Sequence, residues 1–159
     1  MELQARYLRF FSLFSAGLII LCAAVPLIAV TFQEDYDQTY RDFQTATDQN
    51  SKEKLRTCAE RFHELSQRDD AGSLRANCIY WQGQCLYQMG SYLPAMQVFE
   101  RVLTLPGSNK EEAARFKVVQ CLIRLKWKKE AQWEFDRFGR DYPQSALMAT
   151  LKAEMKILK

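Results

Sequence analysis

The sequence predicts an all-α protein: an N-terminal transmembrane helix, then a solenoid of helix–turn–helix pairs, closed by a C-terminal capping helix. Three observations carry this. Residues 10–32 (FFSLFSAGLIILCAAVPLIAVTF) hold no charged side chain, while 38 of the chain's 41 charges follow them. Beyond them, apolar residues recur at spacings of three and four, the period of a helix, and no long run alternates as a strand does. Turn-forming clusters at 48–51, 69–73, 90–91, 106–109 and 142–143 divide the remainder into pieces of helical length.

The first element is the apolar run. At 1.5 Å per residue it spans about 34 Å, enough for a hydrocarbon layer of about 30 Å. A cleaved secretory signal is the rival reading. It would fit the basic Arg6 and Arg9, but it calls for a shorter apolar core and a small-x-small cleavage site. Pro26 lies inside the run, and lipid-embedded helices tolerate such kinks. Arg6 and Arg9 precede the run, and Glu34, Asp35 and Asp37 are the first charges after it. Positive-inside logic then leaves residues 1–9 as a short cytoplasmic N-terminus and places 33–159 across the membrane, on the periplasmic or extracytoplasmic side.

The helical pieces run over roughly 33–47, 52–67, 74–89, 93–105, 110–125, 128–141 and 144–157. Ser51 before Lys54 is a weak N-cap, Ser108 or Asn109 before Glu111 and Glu112 a better one, and Ser145 can start the last helix. That last helix, within 144–159, is expected to cap the solenoid with Leu147, Leu151, Met155 and Leu158 turned inward.

Compared with itself, the chain repeats. Cys85 and Cys121, Leu86 and Leu122, Ala95 and Ala131, and Phe99 and Phe135 are each 36 residues apart, and Pro106 and Pro143 are 37 apart. A small alanine lets two helices approach, the phenylalanine four residues on fills the space above it on the same face, and the proline stops the helix.

On these residues the stretch 74–143 resembles two tetratricopeptide (TPR) repeats, W-x2-L-G-x2-Y…A-x3-F…P. Gly83, Gly90, Ala95, Phe99 and Pro106 fit the first unit, and Ala131, Phe135 and Pro143 the second. The second departs at Val119, where the glycine is lost, so its helices should pack farther apart. Residues 33–70 read as a helical linker or a degenerate first repeat, with Ala59 placed 36 before Ala95 and His63 at the place of Phe99. The F-x-R endings and the anchor-then-repeats layout are similar to bacterial envelope TPR proteins. These are the Tol–Pal-associated cell-division coordinator, the outer-membrane assembly lipoprotein and the ancillary subunit of the Sec translocon. The resemblance implies an adaptor that binds a protein or peptide partner, such as an envelope complex component.

Solenoids of this kind bind through the face lined by the first helix of each pair. Opposite Ile79, Gly83 and Leu86 lie Asn77, Tyr80, Gln84, Tyr87 and Gln88, and 36 residues on lie Phe116, Gln120 and Arg124. Amide side chains can bond a peptide backbone and tyrosine offers area with a polar tip, so these residues read as a peptide groove. The alternative is that the aromatics pack against the neighbouring unit.

Charge is divided along the chain. Residues 33–70 are net −4 and residues 71–159 net +6. Arg115, Lys117, Arg124, Lys126, Lys128 and Lys129 form a run without an acid, readable as a site for an acidic partner, for lipid headgroups, or as a solvated face. Nucleic acid is disfavoured by the small net charge.

Chemistry-bearing patterns are sparse. Cys58, Cys78, Cys85 and Cys121 show no C-x-x-C spacing and read as small buried residues, with Cys58–Cys78 the one pairing left open. His63 has no nucleophile in evident register, the pairs Asp69–Asp70 and Glu111–Glu112 point apart on a helix, and no phosphate-binding loop occurs. The expectation is a membrane-anchored scaffold that is not an enzyme, without cofactor or metal. A self-assembling homo-oligomer or a secreted periplasmic repeat protein is the alternative.

Overall fold

The computed structural model describes residues 31–158. The expected span at 10–32 lies outside the described residues except for Thr31 and Phe32, and among the described residues no helix is long and apolar enough to cross a membrane. Those two residues begin a new element instead of ending the span. The Thr31 side chain accepts from Glu34 N and the Glu34 carboxylate accepts from Thr31 N at 2.9 Å, a reciprocal capping box. Thr31's donors hold the Glu34 carboxyl below its ordinary range.

Seven α-helices follow among the described residues: α1 (Phe32–Asp48), α2 (Lys52–Gln67), α3 (Arg75–Gln88), α4 (Tyr92–Leu103), α5 (Glu111–Leu125), α6 (Lys128–Asp141) and α7 (Leu147–Met155). A 3-10 turn, Asp69–Leu74, joins α2 to α3, and another, Lys156–Leu158, follows α7. The first six helices form three hairpins. Each tight turn carries one residue in left-handed backbone: Asn50 (φ 48°), Gly90 (φ 83°) and Lys126 (φ 60°). Each helix packs on its neighbours in sequence, and α7 folds back over α5 and α6.

Two apolar clusters hold the stack. Phe32, Phe43, Leu55, Phe62 and Leu65 build one, and Phe99, Val102, Val119, Phe138 and Leu151 build the other. Helix α3 belongs to both: Cys78 and Cys85 enter the first, Ile79 and Tyr80 the second. Trp81 packs against both clusters, with its Nε1 donating to the Tyr36 hydroxyl at 3.0 Å and its ring 4.8 Å from that of Tyr40.

Within the second hairpin the ring of Phe99 lies on the backbone of α3 at Gly83. A Cβ at that position would come within 2.6 Å of the ring. Ala95 and Phe99 are both fully buried there. The third hairpin departs from this as expected at Val119. The valine, fully buried, occupies the hollow that glycine leaves open, and α5 and α6 are less closely apposed than α3 and α4. The ring of Phe135 is only half-buried, unlike that of Phe99, and lines a surface crevice together with Met155 and Leu158. Phe138 fills the core in its stead.

Residues 33–70 contribute a hairpin whose register differs from the expected one. Ser51 and Ser91 both immediately precede a second helix, 40 residues apart. In that register Phe43 takes the place of Gly83 and Ala59 that of Phe99, so the large and small partners exchange helices. His63 does not take the place of Phe99; it is exposed on α2.

The caps follow local chemistry. Ser51 accepts from Lys54 N. Ser108 accepts from Lys110 N, one residue before the helix, so neither Ser108 nor Asn109 caps α5. Ser145 accepts from Leu147 N. Leu151 and Leu158 are buried and Leu147 and Met155 half-buried, and the Met148 methyl reaches over Gly139, where a Cβ would meet it at 2.7 Å.

The close contact at Gly83 gives a direct expectation. Gly83→Ala should destabilise the fold by about 1–3 kcal/mol in urea unfolding, because overpacking against a fixed ring outweighs the gain in helix propensity. Adding Phe99→Leu should recover part of that loss by making room for the methyl.

Candidate functional site

The expected groove is partly closed. Tyr80 is buried, its ring 5.5 Å from that of Phe99 and its hydroxyl accepting from Gln84 Nε2 at 2.8 Å. Phe116 is buried against Phe138 at 6.4 Å. Gln120 is buried because α7 crosses α5, and its Nε2 donates to Glu154 Oε1 at 2.8 Å. The expectation that Tyr80, Phe116 and Gln120 face solvent is thus corrected: a helix inside a solenoid has neighbours on both sides, so the face opposite one partner meets another. Asn77, Gln84 and Tyr87 are half-buried and Gln88 is exposed.

The basic run does not act as one patch. Arg115 is 6% exposed and turns into a carboxylate network, with Glu111, Glu134 and Asp141 at 3.7–3.8 Å. Arg137 adds contacts to Glu134 and Asp141, and the Tyr142 hydroxyl donates to Glu111 at 3.2 Å. The guanidinium is balanced by these acids and positions α6 on α5. Lys117 is half-buried with its Nζ 4.6 Å above the Tyr87 ring, and loss of hydration lowers its pKa. Lys129 faces a different crevice.

The remaining three cations converge. Arg124, Lys126 and Lys128 line a cleft of about 460 Å³ together with Tyr92, Ile123 and Glu154, at the end of the solenoid where α7 docks. Arg124 Nε donates to the Tyr87 hydroxyl at 3.3 Å, which ties this cleft to the surviving strip of the expected groove. Lys126 is in the left-handed region that costs an ordinary residue on the order of 1 kcal/mol, whereas its equivalent 36 residues earlier is Gly90. Glu154 gives no signal in the sequence, since only the fold of α7 brings it to Gln120.

All four cysteines of the described residues are buried and free, so Cys58 and Cys78 are not joined. Burial pushes the Cys78 and Cys121 thiols from 9.0 to about 12 and raises Cys58 and Cys85 as well. Among the described residues no group of histidine, cysteine or carboxylate side chains could hold a metal ion.

Three stacked helical hairpins with a basic cleft at one end define a repeat scaffold of the kind that binds other proteins. Residues 48–138, more than half of the chain, match the family described as "Anaphase-promoting complex, cyclosome, subunit 3". The chain belongs to that family, whose repeats are TPR-like. No curated protein and no solved structure matches the chain.

The buried thiols and tyrosines set an alkaline limit. Groups whose pKa is raised on folding stabilise the native state fully below their unfolded value and lose that contribution as pH rises through the folded value. For Cys78 and Cys121 the window runs from 9.0 to about 12. Tyr80 and Tyr87, also raised by burial, act in the same direction. The melting temperature should therefore fall steadily above about pH 9, and iodoacetamide should label Cys58, Cys78, Cys85 and Cys121 only after unfolding, as mapped by mass spectrometry.

Proposed function

We propose that this chain is a membrane-tethered repeat adaptor. It catalyses nothing itself and holds an acidic segment of a partner protein in the cleft of Arg124, Lys126 and Lys128. The observation that carries the reading is Lys126. A lysine held in left-handed backbone, at a turn where the preceding repeat has glycine, retains strain in order to keep an ammonium group at the cleft. Tyr87, Gln88 and Gln84 continue the surface along α3 and offer amide and hydroxyl groups to a bound backbone.

The tether is the uncharged run 10–32 short of Thr31 and Phe32, which belong to α1, and the flanking charges favour an extracytoplasmic position for the repeats, in an envelope setting such as the periplasmic side of a bacterial inner membrane. The expected result is a chain with Met1 intact, recovered in the membrane fraction after alkaline washing. A mature N-terminus downstream of the run, with the protein in the soluble fraction, would support the secreted alternative.

The cleft is tested with the full-length chain in mild detergent, titrated with a fluorescent glutamate-rich peptide. Arg124→Glu should weaken binding by about tenfold or more, and added salt should weaken it further. Lys126→Gly should raise stability by about 0.5–1 kcal/mol while weakening the peptide. Equal binding by the wild type and Arg124→Glu overturns the reading, as does concentration-dependent self-association that the peptide does not disturb.

A further inference from the structure

A second crevice, of about 510 Å³, shares no residue with the basic cleft. Its floor is apolar, made by Met96 of α4 and by Val118 and Leu122 of α5, all buried. Two indoles stand at its side: Trp127, 42% exposed, and Trp133, 58% exposed. Such exposure of large aromatics beside an apolar floor marks an interaction surface more than a solvated one.

The lining is also acidic. Glu100, Glu130 and Glu134 line the crevice against a single lysine, Lys129, among the described residues. Glu134 Oε2 accepts no hydrogen bond, and its charge is met from the inner side by Arg115 at 3.8 Å, with Arg137 at 3.9 Å from the other oxygen. Burial, and then the nearby Glu134 charge, raise the pKa of Glu100, so a cation held in the crevice would relieve the Glu100 carboxylate. The aromatic chemistry for a cation is already displayed by the fold itself, since the Arg137 guanidinium lies 5.4 Å from the centre of the Trp133 ring.

We propose that this crevice docks a segment of a partner protein that carries an apolar side chain next to a lysine or arginine. The apolar group fills the floor over Met96, Val118 and Leu122. The cation lies against the open indole surface and pairs with Glu100 and Glu130. The adaptor would then carry two docking surfaces of opposite charge, and a partner suited to one would be repelled by the other.

The test uses the full chain in nanodiscs of zwitterionic lipid and a capped peptide of alternating arginine and leucine, read by tryptophan emission. Saturable binding with a blue shift is expected. Trp133→Ala should abolish it, and the double variant Glu100→Gln, Glu130→Gln should weaken it by about tenfold or more. Trp133, Glu100 and Glu130 are all exposed, so both variants should stay folded, and the double variant, which removes the crowded Glu100 charge, should melt no lower than the wild type. Arg124→Glu should leave this binding unchanged, which separates its outcome from that of the basic cleft. The proposal is overturned by absence of binding, by equal binding of a peptide with glutamate in place of arginine, or by indifference to the double variant. It is also overturned if Trp133→Ala dissolves a homo-oligomer that the peptide does not compete with, because the crevice would then belong to a second copy.

Discussion

The ring of Phe99 rests on bare helix backbone at Gly83, and most of the architecture depends on that contact. It sets how closely α4 approaches α3, and α3 is the helix that both apolar clusters share. A helix buried on two faces has little freedom to rotate or slide, so its position fixes Trp81 against the first hairpin and Tyr80 against the next. The third hairpin shows what happens without the glycine. Val119 fills the hollow, Phe135 moves aside, and Phe138 and α7 complete the core. Leu151 of the capping helix and Leu158 in the turn after it are buried in the cluster that this hairpin shares.

Helix α5 distributes the charge of its region. Within one stretch, Arg115 points into an acid network, Lys117 covers an aromatic ring and Arg124 enters the basic cleft. A helix advances about 100° per residue, so neighbours in sequence face different partners. The result is a scaffold whose functional contrast is local, with a basic cleft on one set of residues and an acidic, tryptophan-walled crevice on another. A net charge of +3 shows neither.

Much of this was legible beforehand. The helix pieces were readable because their breakers are strong, and six of the seven begin and end within two residues of the observed helices. The TPR-like register at Gly83, Ala95 and Phe99 was readable because it rests on side-chain volume, which a sequence states directly. The register of the first hairpin is hidden because its large and small residues exchange places between helices, so the 36-residue period pairs Ala59 with Ala95 although its place is that of Phe99. The capping box at Thr31 and Glu34 had its T-x-x-E signature and was hidden only by its position at the end of an apolar run.

What the sequence determined by itself is everything local or volumetric: helix type, turn positions and the repeat; that Cys58 and Cys78 are not joined was left to the structure. What only the tertiary structure decided is exposure. Tyr80, Phe116 and Gln120 have the chemistry of a groove and are buried, while Trp127 and Trp133 have the chemistry of a core and stand open. The physical reason is that in a stacked solenoid each helix is covered by neighbours from distant parts of the chain. Whether a given side chain meets water depends on how far those neighbours extend, and no spacing along the chain records it.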